Sequence, residues 1–231
     1  MENKKQILTK IGVITLYFLI AIGLRYVFAI YRPPFLSSIT DSLLYVILTG
    51  IGPLIGALFV IILFKRKIEY SSFGLSVKKT LLSVSIPICL FFLYDLFTKN
   101  ATFSNTLIVI TCLLYAYCEE SGWRGYLQSE LINLPTLRRV SIITIMWFIW
   151  HLNFNVCQSN ALFLLILFLG SWGIGQIAIN TRSIIVCGCF HAIINILSVI
   201  QIDIVKIFLI IVSVLCWFGI WYIKKINIYM T

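Results

Sequence analysis

Eight apolar runs, separated by short polar or basic segments, limit what this 231-residue chain can become. They lie at about 11–30, 42–64, 80–98, 106–134, 140–153, 161–179, 184–200 and 204–223. Most hold the roughly 17–25 residues that a helix needs to cross about 30 Å of hydrocarbon. With 61% hydrophobic and only 11% charged residues, the chain has too little polar cover for a soluble core of this size. The expected fold is all-α, a polytopic membrane bundle of about eight transmembrane helices. No Gly/Ser/Pro-rich linker or internal repeat divides it, so residues 1–231 read as a single integral membrane domain.

The net charge of +10 supports that topology and argues against nucleic acid as a partner. Bases sit in clusters between apolar runs, as positive-inside loops do, rather than along one face. With the N-terminus inside and eight alternating spans, Lys4, Lys5, Lys10, Lys65, Arg66, Lys67, Lys78, Lys79, Arg138, Arg139, Arg182, Lys224 and Lys225 fall on the inner side. Both termini are then cytoplasmic. Arg32, Lys99 and Lys206 fall outside, and only Arg25 and Arg124 stay within the membrane. The first run is too long for a signal peptide and lacks a small-residue cleavage site, so it reads as an uncleaved span.

Several features carry structural readings. Arg25 lies near the outer end of the first span, from which it can snorkel to the interface. Gly52-Pro53 implies a kink in the second span, and Gly52 and Gly56 let a neighbouring helix approach closely. Pro87 implies another kink in the third span. Asp95, near the outer end of that span, either pairs with Arg25 or reaches interfacial water. The seven cysteines, Cys89, Cys112, Cys118, Cys157, Cys187, Cys189 and Cys216, are an odd number in mostly apolar sequence, which argues against a disulfide framework. Cys187-Gly188-Cys189 followed by His191 matches no usual structural zinc spacing and reads as packing.

One stretch breaks the apolar pattern. Cys118-Glu119-Glu120-Ser121-Gly122-Trp123-Arg124-Gly125 places two carboxylates and a guanidinium in the fourth run, where each ionised residue costs about 2.5–3.5 kcal/mol at a helix centre. The only two histidines, His151 and His191, also lie in apolar runs, so groups suited to proton transfer are concentrated where random placement would not put them. At about 1.5 Å per residue, Glu119 is about 22 Å from Leu134, His151 about 18 Å from Arg139, Asn195 about 16 Å and His191 about 10 Å from Ile184. If the fourth span projects beyond the bilayer through Gln128 and Glu130, these groups meet in one layer of the inner half. Glu120 and Arg124 are four apart and form an intrahelical ion pair, while Glu119 is rotated by about 100° toward another neighbour. His191 and Asn195, also four apart, present an imidazole and an amide from one face.

Glu119-Glu120-x-x-x-Arg124, an aromatic four residues before His151, and His191-x-x-x-Asn195 resemble the three motifs of the CPBP family, the CAAX proteases and bacteriocin-processing enzymes also called Abi proteins. The resemblance covers about residues 100–200. Trp147 is a departure, since the family more often has Phe there. The resemblance implies an intramembrane endopeptidase in which Glu119 with His151 activates a water, His191 and Asn195 stabilise the oxyanion, and Glu120 and Arg124, with Trp147, support them. Donors preset at a developing oxyanion are worth several kcal/mol, on the order of 3. Glu119, His151 and His191 are also a possible catalytic zinc set. Asn195 suits an oxyanion hole better than a ligand sphere, which favours a metal-independent glutamate mechanism without cofactor.

Two other classes stand beside the protease. A bacteriocin-immunity or scaffold protein of the same fold would bind its membrane partner without cutting it, although binding alone does not need both histidines. A small ion-coupled transporter would use the same groups as a relay, but inverted repeats and a second charged half-site are missing. The Ile-, Lys- and Asn-rich composition points to an AT-rich bacterium, hence to a bacterial cell membrane. It favours a secreted-peptide precursor over a prenylated protein as substrate.

Overall fold

The computed structural model describes residues 4–39, 42–154, 158–201 and 203–228. Cys157 lies outside the described residues, as do the side chains of Lys4, Lys5, Lys224 and Lys225. The described chain is all-helical, with one isolated bridge between Ser71 and Ser183. The elements are α1 (Lys4–Arg25), α2 (Leu43–Gly50), α3 (Gly52–Phe64), α4 (Val77–Phe97), α5 (Ser104–Glu120), α6 (Thr136–Trp150), α7 (Gln158–Thr181), α8 (Ile184–Val199) and α9 (Ile204–Ile228). A π-helical turn, Tyr26–Tyr31, extends α1, and a second, Ser121–Gln128, extends α5.

Four of these helices are long and apolar enough to cross a membrane, and α2 with α3 makes a fifth if the bent pair counts as one span. That bend is 46°, and Pro53 sits in the first turn of α3, as Gly52-Pro53 implied. The remaining helices, α5, α6 and α8, have 17, 15 and 16 residues. They carry the polar constellation, and each has one face packed in the bundle and one exposed.

Glycines set the closest crossings. A Cβ on Gly52 would run into the Ala21 carbonyl, and one on Gly56 would lie 2.8 Å from the Tyr17 carbonyl oxygen, so this pair brings α3 against α1. Gly188 does the same for α8 on α5, with the Tyr117 backbone 3.2 Å from the position of a Cβ. Gly122, inside the acidic stretch, is pressed against Pro53 and the Tyr17 hydroxyl. The α2–α3 bend therefore docks directly on the second π-turn. α4 runs through Pro87 as one helix and packs against α5 and α9.

The two ends of the bundle are tied by different polar devices. At one end the 65–79 segment is pinned: Arg66 makes a two-pronged ion pair with Glu130, with Nε–Oε1 at 2.6 Å and Nη2–Oε2 at 2.5 Å. Arg182 reaches Glu69 at 3.0 Å, and Ser71 exchanges backbone hydrogen bonds with Arg182 and Ile184. Arg182 and the basic 65–79 segment thus share one end, as the charge distribution required. At the other end Asp95 is fully buried but does not meet Arg25. It accepts from Asn105 at 2.7 Å and Asn100 at 2.9 Å, and from the Thr106 N–H at 2.8 Å and hydroxyl at 2.6 Å, so it caps the first turn of α5 from a different helix. Asp95→Ala would leave the Thr106 N–H and hydroxyl buried without an acceptor. It is expected to lower stability by about 3 kcal/mol, read as a drop in thermal midpoint of the detergent-solubilised protein.

Candidate active site

α5 delivers the two carboxylates at its last two positions, where the backbone passes into the π-helical turn Ser121–Gln128. Such turns inside helices recur at functional sites because they displace side chains from the regular spacing. The turn is buried along its whole length, which suits a segment surrounded by α1, α3, α6, α7 and α8. Two side-chain pairs four residues apart straddle the transition: Glu119 with Trp123, and Glu120 with Arg124.

Glu120 forms the expected ion pair, with Arg124 Nη1 at 3.1 Å from its Oε2, and both side chains are fully buried. Arg124 also donates to the Gly170 carbonyl on α7 at 3.3 Å and lies 4.8 Å over the Trp147 ring. Glu120 has a second partner that its spacing did not announce: its Oε1 stands 2.8 Å from His191 Nδ1. The brace and the second histidine are one linked unit.

Glu119 is held differently. Its Oε2 accepts from the indole N–H of Trp147 at 2.7 Å and of Trp123 at 3.3 Å, while its Oε1 has no hydrogen-bond partner among the described residues. No hydrogen bond joins it to His151 among the described residues. An indole N–H is a donor only, so it stabilises a carboxylate without offering it a proton. Trp147 is therefore more than the aromatic that spacing identified. Its ring lies 5.1 Å from His191 edge-on and 6.4 Å from His151 in a stacked arrangement, so a single side chain meets Glu119, Arg124 and both histidines.

His151 is the C-cap of α6, which ends at Trp150 rather than continuing to about 153. Leu152 follows with φ 57°, a left-handed conformation that costs a Leu about 1–2 kcal/mol and stops the helix at the histidine. The His151 ring packs 4.8 Å from Phe163 of α7 and 5.1 Å from Trp150. His151, His191 and Asn195 line one cavity of about 250 Å³ between α6, α7 and α8, whose other walls are almost wholly apolar. Asn195 Nδ2 is buried without a partner among the described residues.

Arg25 does not snorkel. It lies 4.5 Å over the Trp150 ring and donates to the Thr49 carbonyl at 2.9 Å and the Tyr115 hydroxyl at 3.4 Å, which directs it toward the interior behind Glu119. Among the described residues, no three His, Cys, Asp or Glu side chains are gathered as metal ligands. Cys187 and Cys189 are buried packing residues, and all the described cysteines are free.

Residues 101–197 match the family model of type II CAAX prenyl endopeptidases, Rce1-like. Over this stretch the chain is similar to the CAAX-protease family. The match runs from just before α5 into α8 and contains Glu119, Glu120, Arg124, Trp147, His151, His191 and Asn195. None of the curated proteins compared with the chain matches it. Within residues 101–197, sequence spacing anticipated the Glu120–Arg124 pair but missed the carboxylate clamp made by Trp123 and Trp147. A tryptophan four residues after Glu119 was the available signal. Trp147→Phe keeps an aromatic ring at this position and removes the donor to Glu119 together with part of the indole volume. It is expected to cost about 1–3 kcal/mol of stability, against about 3–5 kcal/mol for Trp147→Ala, which also opens a cavity. Thermal denaturation in detergent distinguishes the two.

Proposed function

We propose that the chain is an intramembrane endopeptidase that hydrolyses a peptide bond in a membrane-associated or secreted-peptide precursor. The observation that carries this reading is the convergence on Trp147, whose indole binds Glu119 and whose ring faces Arg124, His151 and His191. Two imidazoles and an amide line one cavity, and the Trp147 indole in its wall also holds the Glu119 carboxylate. A packing role for each group alone does not require that meeting.

In the proposed reaction, Glu119 takes a proton from a water that His151 helps to orient, and the resulting hydroxide adds to the peptide carbonyl carbon. The free lone pairs of Glu119 Oε1 suit that task. Asn195 Nδ2 and His191 donate to the oxyanion, and the buried, unpartnered amide is a donor already stripped of water. Glu120 holds His191 through Nδ1, and Arg124 holds Glu120 against α7. When the C–N bond breaks, the proton held by Glu119 passes to the leaving nitrogen. No metal or cofactor enters this scheme.

The same reading places eight spans in the cell membrane of a bacterium, with α5, α6 and α8 as its short inner spans and both termini in the cytoplasm. The lipid bilayer and a peptide substrate are the partners. No feature of the geometry favours a binding-only scaffold or a transporter over hydrolysis.

Glu119→Gln keeps an acceptor oxygen for the two indoles and removes the base. In proteoliposomes it is expected to lower cleavage by at least about 10²-fold, as are His151→Ala and His191→Ala. Asn195→Ala is expected to lose about 10²–10³-fold in kcat. Wild-type cleavage by Glu119→Gln would sink the glutamate mechanism. A strong chelator is expected to leave activity intact, whereas loss that added zinc restores would replace this scheme with a metal-dependent one.

A further inference from the structure

The cavity beside His191 and Asn195 owes its shape to a glycine that packing does not explain. Glycines in membrane helices ordinarily let another backbone come close, and Gly52, Gly56, Gly122 and Gly188 all do so here. Gly173 on α7 does not. A Cβ built on it meets nothing within 4 Å, yet Gly173 lines the cavity. One turn earlier, Gly170 would place a Cβ at ordinary contact distance, 3.8 Å, from Trp147. The open space in front of Gly173 is the cavity itself, walled by Phe163, Leu167, Ile174, Phe190 and Ile194.

We infer that this cavity is the subsite for one large apolar side chain of the peptide substrate, adjoining the bond to be cut, and that Gly173 sets the size it accepts. The inference rests on the proposed endopeptidase reading. Three observations identify the occupant. The polar end of the cavity carries His191, His151 and the unpartnered amide of Asn195, the groups positioned to receive a peptide carbonyl. The remaining wall offers only apolar contact. Its volume of about 250 Å³ falls below the roughly 300–1,000 Å³ of sites for whole small molecules, and so suits a side chain. A leucine or phenylalanine side chain entering there leaves its backbone carbonyl at the Asn195 end. A lysine or glutamate would bury its charge without a partner.

The test uses the full-length protein in proteoliposomes and a panel of internally quenched peptides that differ only at one residue, Ala, Leu, Phe or Lys, beside the scissile bond. Wild type is expected to prefer Leu and Phe over Ala by about tenfold or more in kcat/KM, the discrimination a filled apolar pocket supplies. Gly173→Leu is expected to reverse the Leu/Ala ratio, while Gly12→Leu leaves it as in wild type, since Gly12 on α1 also has open space before it but lies away from the cavity. An unchanged ratio in Gly173→Leu, or an equal loss across the panel, overturns the assignment. If wild type cuts none of the peptides, the endopeptidase reading is at fault, and binding decides the subsite separately. A peptide carrying a photoreactive phenylalanine is then expected to label α7 or α8 around the cavity in wild type and not in Gly173→Leu. Labelling elsewhere overturns the subsite. So does displacement of that label by a fatty acid at concentrations where peptides do not compete, which marks the cavity as a lipid groove.

Discussion

Two neighbouring carboxylates buried in an apolar bundle are the constraint on which the centre of this protein depends. Removing one carboxylate from water costs several kcal/mol even after relaxation, on the order of 5, and adjacent like charges add to that cost. The fold answers with two different devices. Glu120 faces the guanidinium of Arg124 and the Nδ1 of His191 from α8. Glu119 faces dipoles: the indole N–H groups of Trp123 and Trp147. The first device ties α5 to α7 and α8 through a cation. The second leaves Glu119 Oε1 without a hydrogen bond among the described residues.

The tryptophans explain how the helices around the pair are arranged. Trp123 lies with its ring centroid 6.4 Å from Trp147 and 6.0 Å from Trp150, and Tyr17 of α1 meets it edge-on at 6.0 Å. Such contacts supply both apolar burial and fixed donor directions. Gly122 allows Pro53 to press on the π-turn at the same level, so the bend between α2 and α3 and the irregular turn after α5 fit each other.

Much of this was legible in the sequence, and the parts that were not have physical reasons. Helix spacing is local, so the Glu120–Arg124 pair, the Gly52-Pro53 bend and the shared face of His191 and Asn195 could be read from intervals of one to four residues. Counting residues along helices suggested that Glu119, His151 and His191 could meet, and all three lie against Trp147. The directions of side chains between helices did not follow. Nothing in the interval of 71 residues between Glu120 and His191 announces a 2.8 Å contact. Asp95 and Arg25 were read as possible partners because both stand near the same membrane face, yet each found a closer one: Asp95 the first turn of α5, Arg25 the ring of Trp150. The short helices α5, α6 and α8 blurred the count of spans, because 17, 15 and 16 residues are at or below the length that lipid imposes on a spanning helix.

The polar clamp at the 65–79 segment bears on how the cavity can open. α7 and α8 are joined by only Arg182 and Ser183, and both residues are held there, Arg182 by Glu69 and by the backbone of Ser71, Ser183 by the carbonyl of Ser72. The two helices thus form a pair of tongs fixed at the pivot. Any separation between them would be smallest at this two-residue joint and would grow away from it, along the cavity that His151, His191 and Asn195 line.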